Sequence, residues 1–372
     1  MSFRTIAADG PLRLVVVGAG GMGRAWARTI QADGGTELVG IADLSAAAAE
    51  AAAAETGIPG LALGADAVEL ARRTDADAIV NATVPEAHHP VTTAALLAGL
   101  PVLGEKPVAA NVAEGLSLAA AAEHTGQLFM ISQSRRYHRS LHLAKRRLAG
   151  LGAAGIVTVD FFKAPRFGGF REEMASPLLL DMAIHQFDMA RFLLGTDPVS
   201  VSCEEYNPAW SWYAGDAAAT AVFAMEDGAR FVFNGSWCSP GFETSWNGSW
   251  RLSAERGTVL WDGEGEPGLD PDADAPAVDD PGREIAGSLR EFTAALRHGA
   301  EPMGRVHANV MSLAMVEAAT QSASQGRRVA IDDVLDRSYD VALAAERDAD
   351  VLAVMKAWPS VRDALKQRSR SE

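Results

Sequence analysis

Hydrophobic positions along the chain keep one period in its first part and another further on. Leu12–Val17 is an unbroken apolar run rich in valine, which predicts a strand buried on both faces. Strands of the same kind are predicted at Glu37–Ala42, Ala78–Ala82, Pro101–Leu103 and Phe129–Ser132. Helical stretches separate them, two of them alanine-rich (Ser45–Thr56 and Val112–His124), where alanine supplies helix propensity. After a helix at His138–Ala149 the period shortens. Ile156–Lys163, Val199–Tyr206, Ala217–Met225, Ala229–Trp237, Trp246–Ala254 and Thr258–Trp261 read as strands. The final third returns to helix at Glu284–Arg297, Val306–Gln325 and about Asp333–Lys356. An alternating half followed by a run of strands predicts two domains, residues 1–130 and 131–335, with a helical tail over 336–372. Asp262–Glu284, rich in Pro, Gly and Asp, reads as an exposed loop. The tail's Ala342, Leu343, Val351, Leu352 and Trp358 suit padding of the first domain or of a neighbouring subunit.

The first strand runs straight into glycines. Gly18, Gly20 and Gly23 follow it in GxGxxG spacing, and Met22–Ile30 then reads as a helix. Gly18 permits the tight turn, Gly20 lets a pyrophosphate approach the backbone, and Gly23 allows close helix–strand packing. Gly21 and Met22 complete the turn, and the helix N-terminus offers free N–H groups to phosphate. The strand Glu37–Ala42 ends at Asp43, twenty positions beyond Gly23. An acid there takes the ribose hydroxyls of NAD and repels the 2′-phosphate of NADP. Leu44 follows, not an arginine, so the prediction is a Rossmann domain that prefers NAD.

Two further segments carry chemistry. After the strand Ala78–Ala82, Thr83, Val84 and Pro85 turn the chain, and His88 and His89 open a helix. The short strand Pro101–Leu103 ends in Gly104-Glu105-Lys106-Pro107, which places Lys106 on the edge where open α/β sheets bind ligands. In Ser176–Leu194, Asp181 and His185 stand four apart on a helix whose apolar side is Leu180, Ile184, Phe187, Ala190 and Leu194. That spacing lets a carboxylate and an imidazole approach one point, the arrangement a general acid/base needs. Taken in isolation, the pair is better accounted for by a helix with one polar face and a satisfied histidine, since polar pairs four apart are common; the other two motifs reverse that preference.

The GAGGMG turn, Thr83–His88 (TVPEAH), Glu105-Lys106-Pro107 and Asp181-xxx-His185 fall in one order and at one set of distances. In this the chain resembles the glucose–fructose oxidoreductase / inositol dehydrogenase / rhizopine-catabolism (Gfo/Idh/MocA) family, from about Leu12 to about Ile331. The resemblance implies an N-terminal Rossmann domain and a C-terminal α+β domain with a large open, mainly antiparallel sheet. It implies NAD(P)-dependent oxidation or reduction of sugars, cyclitols and related alcohols. It also implies that Lys106, Asp181 and His185 lie beside nicotinamide and substrate, with Thr83, Pro85, His88 and Glu105 along the same crevice, and that the Lys-Pro bond is often cis. Members often carry glycines before the Asp, whereas this chain has Ala175-Ser176-Pro177-Leu178-Leu179-Leu180, a change expected to reshape the pocket wall. Two other functions fit the same architecture: a glycosidase that uses bound NAD transiently, and a non-catalytic sugar or NAD sensor.

Composition narrows the partners. With 33 basic and 48 acidic residues the net charge is −15, which disfavours nucleic acid and anionic membranes. Two cysteines, Cys203 and Cys238, make no disulfide framework, and no spacing suggests a metal site. Met1–Gly10 lacks a signal peptide's pattern and no apolar stretch spans a bilayer, so a cytoplasmic location is expected. Arg136, Tyr137, Lys163 and Arg166 are the candidate substrate contacts besides Asp181 and His185; several cations suit a carboxylated sugar, or bond neutral hydroxyls. Six of the eight tryptophans lie between Trp210 and Trp261. They are expected to pack against one another or a subunit, making the open sheet a homo-dimer or homo-tetramer interface.

Overall fold

The computed structural model describes residues 3–7, 10–270 and 277–366. The chain divides into two compact units: residues up to Ser134 with Gly282–Val310 and Arg337 onward, and Arg135–Pro281 with Met311–Asp336.

The first unit opens with alternating elements: β1 (Leu12–Val17), α1 (Gly21–Ala32), β2 (Thr36–Ala42), α2 (Ala46–Thr56), β3 (Ala62–Gly64), α3 (Ala67–Arg73), β4 (Ala78–Asn81), α4 (Pro85–Leu97), β5 (Val102–Gly104), α5 (Val112–Thr125) and β6 (Phe129–Ile131). The six strands pair in parallel in the order β3-β2-β1-β4-β5-β6, the Rossmann order. Leu14, Val15 and Val16 are fully buried, as a two-faced strand requires. Ser45, Asp66 and Asn111 cap α2, α3 and α5, each side chain accepting a backbone N–H three residues on. The pair β3 and α3 had no distinct sequence signal, being short and weakly apolar.

The second unit contains α6 (Arg139–Ala149), β7 (Ala154–Phe162), α7 (Phe170–Glu173), a π-helical turn over Leu178–Ala183, α8 (Ile184–Leu194), β8 (Pro198–Tyr206), β9 (Ala218–Met225), β10 (Arg230–Ser236), β11 (Ser249–Ala254), β12 (Gly257–Trp261) and β13 (Gly268–Asp270). After α9 (Glu284–His298) and α10 (Val306–Gln325), β14 (Val329–Ala330) completes an eight-stranded sheet, β13-β12-β11-β7-β10-β9-β8-β14. All its pairings are antiparallel except β7 with β10. The expected open, mainly antiparallel sheet is therefore present. The expected loop Asp262–Glu284 is interrupted by β13, and its residues 271–276 lie outside the described residues.

The core of this unit is aromatic. Phe187 on α8 meets Phe223, Phe231 and Phe233 of the sheet at 4.8, 6.0 and 5.4 Å between ring centroids. Trp250 stacks on Phe231 and on Trp261. Each such ring, fully buried, contributes about 1.5–3 kcal/mol of apolar transfer. Trp237, Trp250 and Trp261 are thus buried within their own unit, while Trp210 is 66% exposed.

The stretch expected as one helix from Asp333 is two, α11 (Ile331–Ala345) and α12 (Ala349–Lys356). The break comes where the Asp348 side chain accepts the N–H groups of Asp350 and Val351 and starts a new helix. A last helix, α13, covers Val361–Lys366. Within the first unit α12 packs along α5, and Trp358 donates its indole N–H to Glu123 at 3.2 Å. Of the two homes expected for the tail, the structure shows padding of the Rossmann unit.

Candidate functional site

In the first unit β1 delivers the chain to Gly18 with φ +96°, where a Cβ would lie 2.6 Å from the Ala82 carbonyl oxygen. A Cβ at Gly23 would overlap the Gly18 carbonyl oxygen, so helix and strand pack this closely only with glycine there. Gly20 and Gly21 instead face open space. Gly20 is the N-cap of α1 and places no side chain over the first amides, and Met22 beside it is 45% exposed. A turn of this form offers unblocked backbone N–H groups to a diphosphate. Asp43, at the end of β2, accepts the Ala19 N–H at 2.7 Å on one carboxylate oxygen and the Ser45 N–H at 2.8 Å on the other. It thereby ties β2 to the glycine turn, and each oxygen keeps a lone pair for a ribose hydroxyl. Arg24, the cation on the glycine turn, is bonded to the Ala19 carbonyl and to Glu55.

The strand-end residues form a second cluster in the same unit. The Asn81 side chain accepts the N–H and hydroxyl of Thr83 at 3.3 and 2.7 Å and donates to Thr92 at 3.1 Å. Pro85 opens α4. His88 is 2% exposed, its Nδ1 2.7 Å from the Pro107 carbonyl and its Nε2 3.1 Å from the Thr83 carbonyl. Burial pushes its pKa down, although both carbonyls favour the protonated ring. Its contribution is therefore positional: the imidazole joins the turn after β4 to the turn after β5. The Lys106–Pro107 peptide in that second turn is cis. Glu105 accepts the Trp26 indole N–H at 2.8 Å, which links the same turn to α1, and burial pushes its carboxyl pKa up. Lys106 is thus held between two anchored neighbours.

In the second unit the Asp181–His185 segment departs from a plain α-helix. Asp181 belongs to the π-helical turn and His185 to α8. A π turn is wider, so residues before Ile184 rotate relative to an α-helical wheel. Leu180, expected on the apolar face, is consequently 42% exposed, and Leu178 and Leu179 take the buried positions. His185 is 6% exposed. The Arg171 Nε donates to the Asp181 Oδ2 at 2.8 Å, a charge-assisted bond that fixes the carboxylate in place. Arg171 was not singled out from the sequence, because an arginine in a helix of one turn carries no periodic signal.

The other expected substrate residues fall into two groups. Arg136 is buried and makes two 2.7 Å bonds to Asp188 on α8; Tyr137 is 1% exposed. Burial by itself would raise the Asp188 carboxyl, but Arg136, Arg191 and a 2.8 Å bond from the Ser312 hydroxyl outweigh it and hold the group below its usual range. Asp188, three residues after His185, was readable in the sequence as His-xx-Asp and was passed over. Lys163 reaches Glu243 at 3.0 Å and lies over the Trp246 ring, whereas Arg166 lies over the Trp212 ring at 4.0 Å.

Just before the π turn, the Ser176 hydroxyl donates to Glu205 on β8 at 3.0 Å. Burial pushes the Glu205 carboxyl up to about 7, with the charge of Asp216 adding to the effect. The folded chain therefore keeps this proton between the ordinary value of 4.5 and about 7, where the unfolded chain has lost it. The folded-state stability tied to Glu205 is full below about 4.5 and falls as pH rises through about 7. Glu205→Gln is expected to remove a loss of about 1–2 kcal/mol between pH 5 and pH 8, a figure reduced for the group's partial exposure. Urea unfolding of wild type and variant at the two pH values measures it; parallel pH dependences would refute it.

The model of the Gfo/Idh/MocA oxidoreductase family with its NAD-binding Rossmann fold matches residues 12–133, and the model of the GFO/IDH/MocA C-terminal domain matches residues 155–260. Inositol 2-dehydrogenase 4 of Saccharopolyspora erythraea is 33% identical over 195 residues, 51% of this chain and 56% of that protein. D-apiose dehydrogenase of Paraburkholderia graminis is 26% identical over 322 residues, 79% of this chain and 83% of that protein. The crystal structure of an oxidoreductase from Agrobacterium radiobacter, in complex with NAD+, L-tartaric acid and magnesium, superposes with a TM-score of 0.77 at 20% identity, covering 87% of this chain and 99% of the other.

Proposed function

The chain belongs to the Gfo/Idh/MocA oxidoreductase family and carries its NAD-binding Rossmann domain, and from that premise we propose that it transfers hydride between a hydroxyl of a sugar, sugar derivative or inositol and nicotinamide. The observation that carries the reading is the presence of Lys106, Asp181 and His185, the family's proton-handling set, with Lys106 in an anchored turn, Asp181 bonded to Arg171 and His185 buried on α8. The inositol and D-apiose dehydrogenases among the relatives support a polyol substrate.

Gly18, Gly20, Gly21, Met22 and Gly23 would hold the dinucleotide's phosphates, and Asp43 its adenosine ribose, with Thr83, Pro85, His88 and Glu105 shaping the strand-end side. Bound there, NAD would supply the hydride acceptor for the substrate carbon. His185 takes the proton of the substrate hydroxyl. The Lys106 ammonium donates to the same oxygen and stabilises the negative charge that develops there. Asp181, held by Arg171, orients the pair. Among the expected substrate contacts, Arg136 and Tyr137 act through the position of α8 and its surroundings, leaving Lys163 and Arg166 as direct contacts.

Asp43 favours NAD over NADP, since its charge opposes a 2′-phosphate. The reading extends to a cytoplasmic homo-dimer or homo-tetramer joined through the outer sheet face, where Ile156, Val222 and Leu260 are exposed. No helix among the described residues is long and apolar enough to cross a membrane. Sedimentation of the purified chain reads the assembly, and a monomer would end that part.

The principal test is a panel of sugars, sugar acids and inositols followed at the NADH absorbance band with NAD and with NADP. The expected result is NADH accumulating with one substrate class, at a higher kcat/KM for NAD than for NADP. Turnover in which bound NAD is recycled and a glycosidic bond is cleaved would replace the dehydrogenase by the glycosidase. NAD binding without any turnover would leave a sensor.

A further inference from the structure

Beside Asp181, the second unit holds a row of aromatic rings with an arginine at each end. Arg171, paired with Asp181, lies 5.4 Å from the Phe167 ring centroid. Phe167 meets Trp237 at 5.4 Å, Trp237 meets Tyr213 at 6.1 Å, and Tyr213 meets Trp212 at 5.5 Å between centroids. The Arg166 guanidinium lies 4.0 Å from the centroid of Trp212. The Tyr213 hydroxyl donates to the Pro165 carbonyl at 2.8 Å, fixing the backbone next to Arg166.

Apart from Asp181, already paired with Arg171, and the Tyr213 hydroxyl, which can both donate and accept, the polar groups in this row are donors. The indole N–H of Trp237, a residue 1% exposed, has no acceptor among the described residues. Indole and guanidinium have no acceptor atoms of their own, so the missing partners are oxygens. Other cations of this unit are already neutralised: Lys163 by Glu243, Arg171 by Asp181, Arg136 by Asp188. Arg166 makes its ring contact and no ion pair among the described residues. A neutral polyol would be matched by donors and acceptors in mixture, whereas this set fits an acceptor-rich group of negative charge. The chain's net charge of −15 repels anions at long range, so selection for one must be made by local cations such as this.

We propose that the row from Asp181 to Arg166 is a subsite for an oxyanion on the substrate, a carboxylate or a phosphate ester, with Arg166 as its cation and the Trp212 face holding the guanidinium in place. The inference rests on the dehydrogenase reading for its naming of a substrate and deepens it from polyols in general to acidic sugars.

Titration calorimetry of the full chain loaded with NAD tests it, using D-glucuronate, D-glucose 6-phosphate and D-glucose. The expected result is binding of at least one of the two anions about 10- to 100-fold tighter than glucose, the range of a charge-assisted bond to a planar guanidinium. Arg166→Gln is expected to erase that preference and Arg166→Lys to restore part of it, both with unchanged affinity for NAD. Glucuronate alone favoured identifies a carboxylate, and glucose 6-phosphate alone a phosphate ester. Equal binding of all three ligands, binding of none, or a preference that survives Arg166→Gln overturns the subsite. NADH formed from neutral sugars with no anion preference removes the subsite and leaves the dehydrogenase. An Arg166-dependent preference without NADH from any sugar removes the dehydrogenase and leaves the subsite.

Discussion

His185→Ala is expected to lower kcat by about 100- to 10,000-fold, the usual contribution of a positioned general base. Lys106→Ala is expected to fall in the same range, because it removes the donor that stabilises charge on the substrate oxygen. NAD affinity is expected to change little in either variant, since the glycine turn and Asp43 are untouched. Steady-state kinetics on whichever substrate the panel yields, with NADH binding followed by fluorescence, measures both quantities. Near wild-type turnover in either folded variant would defeat the assignment. The two losses are expected to combine to much less than their product, as for groups that act on one proton.

Arg136→Met is expected to destabilise the chain by about 3–5 kcal/mol, because it strands the Asp188 carboxylate in the core. Arg136 and Asp188 side chains are 9% and 1% exposed, and their two bonds are both 2.7 Å. The double variant Arg136→Met/Asp188→Leu is expected to recover most of the loss, since a buried pair replaced by apolar groups leaves no orphaned charge. Denaturant unfolding of the three proteins decides it: a single-variant loss under about 1 kcal/mol would show that the pair carries little. A substrate contact would instead show itself as a raised KM in a chain of normal stability. In acid the pair has a definite limit. The Asp188 carboxyl is held below its usual range in the folded state, so its stabilisation is present at neutral pH and lost as pH falls through the carboxylate range.

The glycine turn was legible because its constraint is local. A strand, three glycines at fixed spacing and an acid after the next strand are demanded by covalent geometry and by phosphate approach, and β1, α1 and Asp43 stand where that pattern puts them. The strands of the second unit were legible for a similar reason, as a period of two reports a half-buried sheet directly. The helical course of the Asp181–His185 segment was legible, but not the surroundings of Asp181. The π turn has no sequence period of its own, so Leu180 was placed on the wrong face, and Arg171, in a helix of one turn, was missed. Arg136 was misweighted because an arginine's composition signal is the same whether it greets a substrate or, as here, neutralises a buried Asp.

The sequence by itself determined the parallel nucleotide-binding sheet, the antiparallel sheet that follows it and the residue types able to move a proton, all properties of local pattern and chemistry. Only the tertiary structure decided which cations are neutralised in place. It also decided that His88 joins two turns and that the tail packs along α5. Charge pairing and burial depend on which distant residues fold against one another, and that information resides in packing, where no short stretch of sequence records it.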